Sequence, residues 1–411
     1  MPLGTPPAGR HIWRMEHTDI FISGGGVAGL TAAAAFGTAG FKSTIVDPHP
    51  PITDAAIDGA DLRTTAFLQP AVQVLQSAGL WDALAPHATP LQTMRIIDAG
   101  GEAVEPRLTR DFDASEISDQ PFGWNLPNWL LRREMVARLA QLPNVDFRPG
   151  IGFARMLTRT DHAIVTLTNG SRLTARLVIA ADGRASPVRQ AANIPVRTMR
   201  YGQKALTFAV THPIPHGNIS TELHRSGGPF TLVPLPDRDG LPCSAVVWMD
   251  TGPEIARLST LTDTDFAAQA STRSCHVMGP LTLASRRTTW PIITQLAARM
   301  TTERTALIAE AAHVLPPIGA QGLNMSLTDI ATLLTLAQKT PGDLGSPTML
   351  DAYHHARHGD ITLRVTGIDA LNRASMAGSP MARDLRAAGL RALYAATPVR
   401  KALMRTGLGV R

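Results

Sequence analysis

Asp19-Ile20-Phe21-Ile22-Ser23-Gly24-Gly25-Gly26-Val27-Ala28-Gly29 opens the first regular region of the chain, and its reading decides the fold class. The first five residues read as a short buried strand, and Gly24, Gly26 and Gly29 then fit G-x-G-x-x-G. An Ala-rich run from Leu30 to Ala39 predicts a helix, and Lys42-Ser43-Thr44-Ile45-Val46 a second strand ending at Asp47. This is the order of a β-α-β dinucleotide unit. Gly24, Gly26, Val27 and Gly29 would let a pyrophosphate meet the helix N-terminus, while the acid takes a ribose hydroxyl. Asp47 stands near the usual offset of about 20 residues from the glycines. A G-x-G-x-x-G alone is also a tight turn of many α/β proteins; strand, helix, strand and acid in sequence make it a binding unit.

Far downstream, Ala309-Glu310-Ala311-Ala312-His313-Val314-Leu315-Pro316-Pro317-Ile318-Gly319-Ala320-Gln321-Gly322-Leu323-Asn324 follows the short apolar strand 306–308. Pro316-Pro317 stiffens the backbone, and Gly319 and Gly322 remove side chains where a flat ligand would approach. A helix is predicted from near Leu323, and its unpaired first amides favour negative charge. A third element, the strand 176–181, leads into Asp182-Gly183-Arg184-Ala185-Ser186-Pro187. An ordinary strand-to-helix turn with a Ser-Pro cap would look similar, so its weight comes from its position between the other two.

The three motifs resemble those of the aromatic hydroxylases related to p-hydroxybenzoate hydroxylase, and within them the ubiquinone-biosynthesis hydroxylases. The resemblance spans roughly residues 16–400 and is specific at the motifs, with little between them. It implies FAD as cofactor, held by the first motif, Asp47, Asp182, Glu310, Pro317, Gly322, Leu323 and Asn324. Arg63 matches a family arginine that reaches the cofactor, and Arg132 one near the pyrophosphate or ribityl chain, with Arg133 leaving the register open by one. Two departures stand out: Asp47 where Glu is usual, and Ala309-Glu310 where Gly-Asp is usual.

The implied fold is α/β: a Rossmann-type FAD-binding domain interleaved with a substrate domain on a large mixed or antiparallel sheet, plus C-terminal helices. We expect the FAD domain at 15–90, 126–190 and 300–345, the substrate domain at 91–125 and 191–299, and a helical region at 346–411. The implied chemistry is ring hydroxylation: NAD(P)H or a reductase protein reduces FAD, O2 adds as a flavin peroxide, and an electron-rich ring takes its distal oxygen. No side chain is identified as a catalytic acid or base. His313 and Asp329 read as structural residues of the motif and its helix.

Composition agrees with a globular enzyme. Hydrophobic residues make up 44% and charged ones 18%, unlike a disordered chain, and no apolar run reaches the roughly 18 residues of a membrane span. Cys243 and Cys275 form no C-x-x-C, which argues against a disulfide reductase. A net charge of +6 is modest for 411 residues and suggests no nucleic-acid partner. Met1–Arg14 has no long hydrophobic core and reads as an extension rather than a secretory signal, so a cytoplasmic location is expected. The adjacent His354, His355 and His358 read as surface residues, with no metal implied.

Between the motifs we expect a helix over 70–84, another opening at Asn128, and a hairpin over 163–181 with a type I′ turn at Asn169-Gly170. Extended runs at 205–210, 230–235 and 244–249, with strands from 90–125, predict the large sheet, and Asp263–Ala270 a helix. Arg364, Arg373, Arg383, Arg386, Arg391, Arg400 and Arg405 lie on predicted C-terminal helices. Such helices suit peripheral contact with the inner face of a membrane, or with a biosynthetic complex, or a solvated face. The substrate is expected to be a hydrophobic aromatic, a polyprenylated phenol of ubiquinone biosynthesis. Alternatives are a small phenolic acid, or a non-catalytic flavoprotein scaffold.

Overall fold

The computed structural model of the chain describes residues 15–99, 105–376 and 380–408; the expected extension Met1–Arg14 lies outside them. Five parallel strands form the centre of the first sheet, in the order Thr305–Leu307, Arg172–Ala180, Glu16–Ser23, Ser43–Asp47 and Val145–Pro149. Ile20, Phe21 and Ile22 are fully buried, as a central parallel strand covered on both faces requires. The helix Val27–Thr38 starts directly after Gly26, and its buried alanines let the neighbouring helices Asn128–Ala140 and Gln321–Lys339 come close.

The second sheet has nine strands, and its main path runs His313–Val314, Thr288–Ala297, Val196–Thr211, Leu241–Thr251, Gly228–Arg238, Ile219–Arg225, Thr93–Asp98 and Leu108–Asp113. Pairing along it is antiparallel except between Ile219–Arg225 and Thr93–Asp98, so the sheet is mixed. Its outer face buries Leu206, Phe208, Leu223, Phe230 and Trp248 against Ile255, Leu258 and Phe266 of the helices Gly252–Ser259 and Asp263–Arg273. The inner face packs on loops and strands outside this sheet. There Ala205 and Met249 pack on Ile318, while Met94 and Val233 pack with Leu68 and Phe122.

The helix Pro347–Met376 ties the two sheets together. Its Tyr353 hydroxyl donates to the Leu307 carbonyl at 2.9 Å, and its Ile368 joins the packing at Ile318. Helices Pro380–Ala395 and Thr397–Leu408 fold back on the sheet edge, where Tyr394 meets Phe112 at 5.7 Å between ring centroids. Among the described residues no helix is long and apolar enough to cross a membrane.

Several expectations need correction. The helix over 70–84 is broken into Gln69–Ser77 and Trp81–Leu84, because Gly79 takes φ +67° and ends the first piece. Asn169 is not left-handed; only Gly170 is (φ +83°), and its N–H bonds to the Leu167 carbonyl. The turn is therefore type I with a glycine bulge rather than type I′. Of the strands expected from 90–125, Gly123–Pro127 instead joins Thr64–Leu68 and Thr89–Leu91 in a separate three-stranded sheet. Three C-terminal arginines are not a free basic face. Arg364 and Arg373 pair with Asp360 and Asp369 one turn earlier, and Arg400 with Glu116 at 2.6 Å. The side chains of Arg383 and Arg386 lie outside the described set.

Candidate active site

The glycine loop divides its work between the protein and a ligand. Gly24 has φ +111°, and a Cβ there would sit 2.3 Å from the Ala181 carbonyl oxygen; at Gly29 it would lie 1.9 Å from that of Gly24. Both glycines are needed for packing. Gly26 has nothing within 4 Å of such an atom, so it borders open space over the N-terminus of the helix Val27–Thr38. That is the division expected of a pyrophosphate cradle. Asp47, at the end of its strand, accepts hydrogen bonds from Gly25 N–H (2.6 Å) and His49 N–H (2.8 Å).

Asp182 closes the adjacent edge. Its Oδ2 accepts from Ser23 Oγ and Val188 N–H, each at 3.1 Å, while burial pushes its pKa up. Its Oδ1 is buried without a partner, as is Arg132 Nε. Unpaired buried polar atoms beside an open cradle fit a polar ligand such as FAD.

Sequence reasoning missed Asp61. Arg63 Nε and Nη2 donate to its two oxygens at 2.8 and 2.7 Å, Asn128 Nδ2 donates at 3.0 Å, and Arg132 Nη2 lies 3.6 Å away. Burial opposes the Asp61 charge, but Arg63, Asn128 and Arg132 outweigh it and hold its pKa down. Burial likewise opposes the Arg63 charge, and Asp61 with the field of Glu310 more than compensates. The braced Arg63 guanidinium lies 4.1 Å from the Trp290 ring, so one cation joins the first domain to the second sheet. Arg132 faces this cluster, whereas Arg133 pairs with Glu134 and lies over Trp129. The D-x-R spacing of Asp61 and Arg63 was the available signal.

In the motif at 309–324 Ala309 is left-handed (φ +55°), which explains why glycine is usual there. Its N–H donates to buried Asp329 Oδ2 at 3.2 Å, and the same carboxylate holds His313 Nε2 and Arg357 Nε, both at 2.8 Å. These residues brace the turn, as their structural reading implies. Ala309→Gly is expected to stabilise the protein by about 1 kcal/mol, read as a higher thermal midpoint. An unchanged midpoint would show that the Asp329 bond already offsets the strain.

Beyond the turn, Pro317, Gly319 and Gly322 are exposed, Leu323 is half-buried, and Gln321 begins the helix. The first amides of that helix have no intrahelical partners. Asn324 is buried, and its side chain is spent on the backbone: it accepts from Leu68 N–H and donates to Ala66 and Ala320 carbonyls. It fixes the loop, leaving only its main chain for a ligand. Glu310 is exposed rather than partly buried. Glu310→Ala is therefore expected to weaken FAD binding by only about 1 kcal/mol, the low end for one lost hydrogen bond, with Glu310→Asp retaining affinity. Equal titrations for wild type and Glu310→Ala would show that the carboxylate points elsewhere.

A family model described as an FAD binding domain matches residues 17–365. The chain is 31% identical to the ubiquinone hydroxylase UbiL of Rhodospirillum rubrum over 95% of its length and 89% of that protein. It is 25% identical to the 3-demethoxyubiquinol 3-hydroxylase of Escherichia coli, covering 96% and 99% of the two chains. In fold it is similar to p-nitrophenol 4-monooxygenase PnpA from Pseudomonas putida, with TM-score 0.77, 18% identity, and coverage of 96% and 99%.

Proposed function

Because the chain belongs to the FAD-binding monooxygenase family, we propose that it hydroxylates the aromatic ring of a polyprenylated phenol in ubiquinone biosynthesis. The observation that carries this is the meeting of an open dinucleotide cradle with the inner face of the large sheet, bridged by Arg63 on Trp290. FAD, when bound and reduced by NAD(P)H or a reductase, supplies the oxygen chemistry. The chain's own part is to hold it, orient the ring and keep water out. Gly26 and the first helix amides would take the pyrophosphate, Asp47 a ribose hydroxyl, Asp182, Glu310 and Arg132 the polar chain, and the backbone 317–323 the ring.

The middle of the inner face favours a neutral phenol over a small aromatic acid. Thr207, Val247 and Thr231 offer no cation, Arg63 over Trp290 is already paired with Asp61, and the neighbouring Glu222 would repel a carboxylate. Lipid extracted from a deletion strain is expected to accumulate a ubiquinone precursor lacking one ring hydroxyl. Normal ubiquinone, in a strain with no second such hydroxylase, would overturn the reading.

A polyprenyl tail must be met at a bilayer or through a partner. Met381 is 81% exposed, and Leu385 and Leu363 are each 74% exposed on the C-terminal helices, with Arg391 and Arg405 exposed nearby. We expect anionic vesicles to sediment the protein at low salt and to release it as screening shortens to ~8 Å. Replacing Met381 and Leu385 together by Ser should weaken retention. Failure of the wild type to bind would assign delivery to a protein partner.

A further inference from the structure

Strand register sets Thr207, Val247, Thr231 and Glu222 side by side on the inner face of the large sheet. The row on one side meets Ile318 and Ile368 through Ala205 and Met249; the row on the other meets Leu68 and Phe122 through half-buried Val233 and Met94. Between them Thr207, Val247 and Thr231 are only half-buried. This row lies on the same side of the sheet as the loop that contains Ile318.

Glu222 follows Thr231 on that row, 5% exposed, and half-buried Ile96 comes next. Its Oε1 lies 2.9 Å from His224 Nε2, and the other ring nitrogen of His224 is buried without a partner. Burial beside Thr and Val is costly for a carboxylate, and the His224 ring is the polar partner that offsets it. Among the described residues of these rows, the other charged groups are Asp98, beside His224, and Arg110, whose guanidinium lies 5.0 Å from the Tyr394 ring. Asp98 is buried on the next row, whereas half-buried Arg110 lies on the row of Glu222, beyond Ile96, with its guanidinium over Tyr394.

We propose that Glu222, backed by His224, binds the phenolic hydroxyl of the substrate and takes its proton during ring attack; this rests on reading the site as that of a phenol hydroxylase. As a ring carbon gains the transferred oxygen, the phenol O–H bond breaks. Its proton passes to the Glu222 carboxylate, and the freed electron pair forms a carbonyl while ring electrons bond the incoming hydroxyl, whose O–O bond breaks with the electron pair leaving on the oxygen left behind. The substituted carbon then loses its hydrogen as a proton, which ends on that oxygen, while the carbonyl oxygen recovers a proton from Glu222 and the ring is aromatic again.

The test is a single turnover. Wild type and Glu222→Gln, both loaded with FAD, are reduced by dithionite without air and mixed with O2 and a diprenylated phenol. Glu222→Gln should keep its FAD and consume oxygen, yet hydroxylate the ring about a hundredfold more slowly, releasing hydrogen peroxide instead. The methyl ether of the substrate, lacking the O–H, should be hydroxylated equally poorly by both proteins. If Glu222→Gln fails to retain FAD, His224→Gln and the methyl ether comparison in wild type carry the same test. Equal product from wild type and variant, or from phenol and ether, overturns the role of Glu222 and leaves the hydroxylase reading standing. No product from wild type with any prenylated phenol removes the hydroxylase reading, and this inference with it.

Discussion

Gly26→Val is expected to give a folded but colourless protein. Gly26 has φ −73° and ψ 175°, a conformation open to any residue, and no atom lies within 4 Å of the site of a new Cβ. The protein itself therefore has room for the side chain. The pyrophosphate does not, because the valine would occupy the space over the helix N-terminus where phosphate oxygens meet backbone N–H groups. Loss of two or more charge-assisted contacts should cost on the order of 3 kcal/mol or more, at least a hundredfold in Kd. Circular dichroism should stay at the wild-type spectrum while flavin absorbance disappears. Gly29→Ala should behave in the opposite manner, losing the fold first, since its Cβ would lie 1.9 Å from the Gly24 oxygen. Full FAD occupancy in Gly26→Val would place the pyrophosphate somewhere else.

The largest loss of stability is expected at Asp329→Ala. Asp329 is fully buried and serves three donors from two segments: the Ala309 amide and His313 of one motif, and Arg357 of the helix Pro347–Met376. Removing it strands the Arg357 guanidinium, 3% exposed as a residue, with only Asp360 at the cluster's margin and a weak contact to the Met325 carbonyl. Breaking a buried pair from one side costs about 3–5 kcal/mol. It also frees the strained Ala309 turn, so FAD should dissociate at a lower temperature than the one at which the sheets unfold. Coincident loss of flavin and secondary structure, at the wild-type midpoint, would contradict the bracing role.

What could be read from the sequence was local. The apolar run before Gly24, the glycine spacing and Asp47 lie within one β-α-β unit, so their geometry follows from short-range rules. The strands of the large sheet were visible as apolar runs for the same reason. Asp61 was missed because its function depends on Arg132 and Asn128, which reach it only after the helix Asn128–Ala140 docks. Glu222 was missed because a lone acid in a strand carries no periodic signal; its meaning comes from Thr231 and Val247 on neighbouring strands. The membrane, partner and solvated-face readings of the C-terminal arginines stood side by side, although Asp360 and Asp369 stand four residues before Arg364 and Arg373, a pairing open to inspection. The tie of Arg400 to Glu116 spans most of the chain and was not.

Isotope-labelled oxygen, supplied to the reduced, FAD-loaded protein with a diprenylated phenol, puts the whole assignment to a single measurement. Mass spectrometry of the extracted lipid should show one labelled oxygen on the aromatic ring, in near-equal proportion to flavin turned over. An unlabelled ring, with all oxygen recovered as hydrogen peroxide, would contradict ring hydroxylation of a prenylated phenol.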